Sequence, residues 1–172
     1  MAGIYKNLAF SAGYTYFDTN GWRVNADQKD NIGNAFLQFD ITPQTSVQGE
    51  YRYRRTERGD LQLNFFEDDF QRNRRVEVET NTYRFGARHA FTPDSVLLLS
   101  YIHQRRDSND KDRPEVFFLN SLVETIPRQY SNSVEAQHIF RSKWAEPTAH
   151  IAFLQFSSSQ VPDQTSGLTG PL

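Results

Sequence analysis

Ser46-Val47-Gln48-Gly49-Glu50-Tyr51-Arg52-Tyr53-Arg54-Arg55 alternates residue by residue. Val47, Gly49, Tyr51 and Tyr53 face one way and Gln48, Glu50, Arg52 and Arg54 the other, the period of two expected of a β-strand with unlike surroundings on its two sides. Residues 7–17 follow the same scheme, with Leu8, Phe10, Ala12, Tyr14 and Tyr16 opposite Ala9, Ser11, Gly13 and Thr15. So do residues 80–91, where Tyr83, Phe85, Ala87, His89 and Phe91 oppose Thr82, Arg84, Gly86, Arg88 and Ala90. Weaker strands at 33–41, 95–104, 131–140 and 149–156 bring the expected number to seven. In 95–104 both sides begin apolar, Val96 and Leu98 against Leu97 and Leu99, so its facing stays open. Residues 1–156 read as one sheet-forming unit and 157–172 as a polar tail or truncated loop.

The connections sort by length. Ile41-Thr42-Pro43-Gln44-Thr45-Ser46 and Phe91-Thr92-Pro93-Asp94-Ser95-Val96 are nearly the same tight turn, with Pro fixing φ and Thr, Ser and Asp bonding nearby backbone. Their Thr-Pro pairs lie 50 residues apart, at 42 and 92, and a further 50 leads to the polar corner Arg141-Ser142-Lys143. This reads as an internal hairpin repeat. Between the turns, 18–32, 56–79 and 105–130 read as long loops rich in Asp, Asn, Arg and Gly. Short turns alternating with long polar loops, and strands of about 9 to 11 residues, are the pattern of an outer-membrane barrel rather than a soluble sandwich. The expected fold is therefore all-β: an antiparallel up-and-down transmembrane β-barrel segment of about seven strands.

Composition agrees. The 172 residues include 14 Phe, eight Tyr and two Trp but one Met, a mixture suited to strands. A mean hydropathy of −0.70 is expected if half of each strand faces a polar interior and the loops are large. Apolar runs reach four residues, as at Val96 to Leu99, far short of the roughly 20 a membrane helix needs. With 19 basic against 21 acidic residues there is no overall positive field to gather nucleic acid, and without cysteine there is no disulfide scaffold, thiol nucleophile or zinc knuckle. The first residues, Met1-Ala2-Gly3-Ile4-Tyr5-Lys6, carry no secretory signal, so an outer-membrane location implies a fragment.

The run from Asp40-Ile41-Thr42-Pro43 through Gln48-Gly49-Glu50-Tyr51-Arg52-Tyr53-Arg54-Arg55 to Gly59-Asp60-Leu61 resembles the barrel portion of Gram-negative outer-membrane proteins of the porin and TonB-dependent-receptor type. In particular it is similar to large proteins in which a periplasmic tetratricopeptide region precedes the barrel. Tyr83-Arg84-Phe85-Gly86-Ala87-Arg88-His89 and Asp112-Arg113-Pro114 extend the likeness, which covers roughly residues 34–141. The resemblance implies outer-membrane lipid, the missing remainder of the barrel, periplasmic domains of the same protein and small solutes as partners. No plug or TonB-contacting segment is visible, and the sequence ends Gly170-Pro171-Leu172 rather than on an aromatic-terminated strand, both as expected of a fragment.

Arginine outnumbers lysine 15 to four. The lumen-lining candidates are Gln48, Glu50, Arg52, Arg54, Arg84 and Arg88; rings of such cations favour anions in pores. The preferred alternative is structural, with Arg52 and Arg54 paired to Glu50, Glu79 and neighbouring acids to stiffen the wall. The lipid-facing candidates are Leu8, Phe10, Tyr14, Tyr16, Val47, Tyr51, Tyr53, Tyr83 and Phe85. His89, His103, His138 and His150 are scattered near strand ends, and no serine stands in a nucleophile elbow, so no catalytic residue is expected. Asp107-Ser108-Asn109-Asp110-Lys111-Asp112 offers oxygen ligands but lacks the glycine and distal glutamate of a calcium loop; it reads as a solvated extracellular loop without metal. Arg72-Asn73-Arg74-Arg75 reads as compensation for Glu67-Asp68-Asp69. The expected function is a conduit or receptor for small solutes in the outer membrane, without cofactor. A soluble or surface β-sheet ligand-binding module is the alternative, and an outer-membrane hydrolase the least supported reading.

Overall fold

In the computed structural model, residues 1–62, 71–112, 122–126, 128–141, 149–160 and 165–169 are described. The chain is all-β. Its strands are β1 (Ala2–Tyr5), β2 (Leu8–Thr19), β3 (Gln28–Thr42), β4 (Thr45–Arg58), β5 (Arg75–Thr92), β6 (Ser95–Asp112), β7 (Leu122–Ile126), β8 (Arg128–Arg141), β9 (Ala149–Gln160) and β10 (Thr165–Thr169). They form one antiparallel sheet in which β1 to β6 lie up and down, each beside the next. The 18-residue β6 takes β8 along its first part and β7 along its end, and β9 and β10 continue beside these two, so the ten strands occupy eight positions. No pairing joins β1 to β9 among the described residues; the sheet is open, not a closed barrel.

All seven expected strands are present, but they are longer at the loop end, and β1, β7 and β10 add to them. The segment 157–172, expected as a tail, instead begins with the end of β9 and contains β10 paired to β7. Asp107–Asp112, expected as a loop, is the end of β6. The physical reason is cross-strand charge pairing where apolar residues run out: Arg55 meets Glu77 at 2.7 Å, Arg74 meets Asp110 at 2.6 Å and Arg128 meets Asp107 at 3.3 Å. Arg74 and Arg75 therefore pair with Asp110 and Asp27, while Glu67-Asp68-Asp69 lies outside the described residues. The third corner, after Arg141, and Arg113-Pro114 also lie outside them.

The turns set the inclination of the strands. The carbonyls of Asn7, Gln44 and Asp94 each accept a bond from the following hairpin, from the N–H of Asp40 (2.9 Å), Ala90 (2.8 Å) and Arg141 (2.8 Å). Asn7 is thus level with Asp40 and, through the β3–β4 ladder, with Ser46; the next turn residue, Gln44, lies two positions past Ser46. Gln44 in turn is level with Ala90 and Val96, and Asp94 lies two positions past Val96. Two residues per hairpin is one per strand, a rise of about 3.3 Å for each ~4.8 Å of sideways step, or strands inclined by roughly 35°.

Among the described residues no apolar core lies under the sheet. Ala26 and Val76 are the buried hydrophobic residues among those described, both at the loop end, whereas Leu37, Phe85, Leu154 and Phe156 stand more than half exposed. No described helix is long and apolar enough to cross a membrane.

Candidate functional site: two unlike faces and a charged hollow

Register separates the two sides completely. The cross-strand row Leu37, Gly49, Phe85, Tyr101, Val134, Phe156 belongs to one face, and the row Gln38, Gln48, Gly86, Ser100, Glu135, Gln155 to the other. The nine residues expected to face lipid (Leu8, Phe10, Tyr14, Tyr16, Val47, Tyr51, Tyr53, Tyr83 and Phe85) all share the first face. The six expected to line a lumen (Gln48, Glu50, Arg52, Arg54, Arg84 and Arg88) all share the second. Pairing with β5 also settles the strand left open by sequence. Leu97, Leu99, Tyr101 and His103 join the aromatic face, and Val96, Leu98, Ser100 and Ile102 the polar one.

The aromatic face is bordered at both ends by a repeated hydrogen bond. Tyr14, Tyr51 and Tyr101 stand seven residues beyond their turn residues Asn7, Gln44 and Asp94. Their hydroxyls donate toward the loop end, to the Oδ1 atoms of Asn31 (2.7 Å), Asn81 (2.7 Å) and Asn132 (3.0 Å) on the next strand. At the turn end His89 Nδ1 meets the Thr45 hydroxyl at 2.8 Å and His138 Nε2 the Ser95 hydroxyl at 2.9 Å. His103 shares Asn132 at 2.8 Å. His89, His103 and His138 thus sit in border contacts. The three asparagines were not singled out from sequence; their signal was recurrence at a fixed distance from the tight turns.

On the polar face the acids neutralise some arginines and leave others. Glu50 bridges Arg52 at 3.0 Å and Arg84 at 3.3 Å. Asp30, 7% exposed, accepts from Gln28 at 2.7 Å, from Arg54 at 3.3 Å and from the Thr56 hydroxyl. Ion pairs at Arg52, Arg54 and Arg84 are therefore present, but Arg54 uses Asp30, and Glu79 lies on the opposite face beside Arg55 and Asp107. Nearer the turns, a hollow of about 360 Å³ opens where Gly86 carries no side chain; a Cβ there would come within 2.8 Å of Gln48 Nε2. A second hollow of about 280 Å³ lies toward the loops, between Arg54 and Arg58 on β4 and Arg106 on β6, floored by Val78 and Thr80 of β5. Arg58 and Arg106 fell beyond the strand ends read from sequence, although both continue the alternation of Arg52 and Arg54 and of Ile102 and Gln104.

Above the hollow, residues 20–27 are bound to the described residues 59–62 and 71–74 of the next long connection. Arg23 donates to the carbonyls of Asp60 (3.1 Å) and Gln62 (2.6 Å), and its guanidinium stands 3.6 Å from the Asp60 carboxylate, whose side chain is 3% exposed. Asp60 accepts from the backbone N–H groups of Gln71 (3.0 Å) and Gln62 (3.2 Å). Burial alone would raise its pKa; the two N–H donors, helped by the Arg23 and Arg74 charges, outweigh that and hold it below the usual carboxylate value.

No protein-family model matches this chain, and neither a curated protein nor a solved structure does.

Proposed function

We propose that the chain forms part of the wall of an outer-membrane β-barrel of a Gram-negative bacterium, serving as a conduit or receptor for small solutes. One observation carries the reading: an exposed apolar band on a single face, bordered at constant depth by Tyr–Asn pairs, with no apolar core among the described residues. In water such a face would be a penalty at every exposed Phe and Leu; against lipid it is the favourable side. At an inclination of roughly 35°, each residue rises about 2.7 Å along the barrel axis. The nine residue steps from Asn7 to Tyr16 then span about 24 Å, matching the ≈25 Å apolar band of outer-membrane barrels with its aromatic border. The inclination itself falls where barrels require it.

Lipid leaves no partner for free strand edges, each unsatisfied group costing several kcal/mol, so β1 and β9 meet further strands in the closed wall. The polar face lines its interior, where Gln, Ser, Thr and paired arginines contact water and solute.

The test is refolding of the full chain in the presence and absence of phospholipid vesicles. A wall segment floats with the vesicles and protects its aromatic face from a water-borne carbene label. A chain that stays monomeric and soluble without lipid, labelled along that face, refutes the membrane reading and favours a soluble binding sheet.

A further inference from the structure

The geometry points to an oxyanion-binding site on the polar face, formed by Arg54, Arg58, Arg106 and Thr80, that takes small solutes bearing a carboxylate or phosphate. It rests on the proposal that this face meets solute, and it narrows the solute's class.

Three observations combine. First, Arg54, Thr80 and Arg106 occupy one cross-strand row, so the two arginines flank a short side chain from strands roughly 10 Å apart. Arg58 stands four residues along β4 on the same side, and the three enclose the 280 Å³ hollow. Second, the charge is unbalanced. Arg54 is held by Asp30 through Nη2 at 3.3 Å, which fixes its direction. Among the described residues neither Arg58 nor Arg106 has a carboxylate partner, whereas Arg52, Arg84, Arg55, Arg75 and Arg105 all do. The other nearby acid of this face, Asp110, is taken by both Nε and Nη2 of Arg74, at 3.1 and 2.6 Å. Third, the floor can donate: Thr80, in the row between Arg54 and Arg106, carries a hydroxyl and lines the hollow together with the short Val78.

Guanidinium groups converging from two sides suit planar carboxylate and tetrahedral phosphate alike, through paired N–H donors that lysine lacks. The site lies level with and just beyond the tyrosine border, where a solute arriving from the loop end meets the wall before the Glu50-neutralised pair Arg52 and Arg84. Arg52 and Arg84, the arginines most conspicuous in the sequence, are thus the less suited to hold an anion.

The experiment uses the full chain in uncharged detergent micelles at low ionic strength, titrated with inorganic phosphate and, separately, acetate, by calorimetry and by ³¹P line width for phosphate. Saturable binding is expected, weakened about tenfold or more by Arg58→Gln or Arg106→Gln, as loss of a charge-assisted bond requires, and little changed by Arg52→Gln. Arg58→Lys, which keeps charge but loses the fork, is expected to bind phosphate better than Arg58→Gln; far-UV circular dichroism checks that each variant retains the sheet. Binding that survives the double Gln variant, or falls equally with Arg52→Gln, overturns the site, as does absence of saturation with both anions. A chain that inserts into vesicles but binds neither anion loses this inference alone. One that binds phosphate yet needs no lipid keeps the site and loses the membrane reading.

Discussion

Leu99→Arg and Ser100→Arg change neighbouring residues at nearly one depth on opposite faces. Leu99 lies five residues beyond Asp94 and is 46% exposed among Ala87, Ala136 and Leu154; Ser100 lies beside Gln48, Gly86 and Glu135. With about 2.7 Å of rise per residue, Leu99 sits roughly 13 Å from the turn end, the middle of a ~25 Å band. An arginine there should cost ~2–4 kcal/mol, against ~0–1 kcal/mol for Tyr53→Arg, nine residues from Gln44 at the border. Ser100→Arg should cost little, since the polar hollow and the Glu135 side can accept it. Phe85→Arg, eight residues before Pro93, should fall between. Urea titration of the full chain refolded in vesicles, followed by far-UV circular dichroism, gives the differences. Equal costs for Leu99 and Tyr53, or a larger cost at Ser100 than at Leu99, would refute the depth and face assignments, because a one-residue slip exchanges every position of the two faces.

Asp60 supplies a pH dependence confined to the loops. Its folded pKa is depressed, so its contribution is complete above the unfolded value of about 3.9 and is lost as pH falls below that toward the folded value; Trp22 fluorescence in a Trp144→Phe background should show an acid transition that Asp60→Asn abolishes, and an unchanged transition would remove Asp60 from its cause. Gly59→Ala would set a Cβ 2.1 Å from the Asn25 carbonyl and should loosen the clasp by ~1–3 kcal/mol, seen as faster trypsin cleavage within 59–74; cleavage at the parent rate would show that the contact carries no stability. On intact cells displaying the protein, added protease should cut within 59–74 or 113–121 and spare Pro43-Gln44 and Pro93-Asp94, and cleavage limited to those turns would reverse the orientation.

The two faces were legible because alternation between aromatic and charged residues is local: Ser46 to Arg55 carries it without any partner. Strand ends were not. Beyond Thr56 and Gln104 the alternation continues in Arg, Asp and Asn, a composition that reads as loop unless the opposite strand is known. What makes it strand is pairing across 22 to 48 residues, as in Arg55–Glu77 and Arg75–Asp27. Arg58 and Arg106 were overlooked for that reason. β1 escaped because its turn, Lys6-Asn7, holds neither Gly nor Pro, Lys6 itself taking φ of 52°. A barrel segment that needs further strands to close was expected from pattern; the described sheet is open, with no pairing between β1 and β9.

The lengths that vary and the lengths that do not make the strongest physical case for a band of fixed height. Asn7 and Gln44 are 37 residues apart, Gln44 and Asp94 50, the difference arising mainly in the loops 20–27 and 59–74. From turn to tyrosine the distance is seven each time, and nine leads to Tyr16, Tyr53 and His103, while eleven leads to Asp18, Arg55 and Arg105. The adjoining strands run the same course backwards, with Asn31 and Asn81 each twelve residues before Pro43 and Pro93. A sheet packed on its own core needs no such constancy, because neighbouring layers can adjust to one another. A sheet bordering a slab of fixed thickness does: one residue more in a single hairpin would carry a charge about 2.7 Å into the apolar layer or leave a Tyr hydroxyl short of its Asn. Inserting two residues in the 59–74 loop should accordingly leave insertion into vesicles unchanged, while inserting two between Val47 and Tyr51 should abolish it; equal tolerance at both places would mean that nothing outside the chain fixes the height of the band.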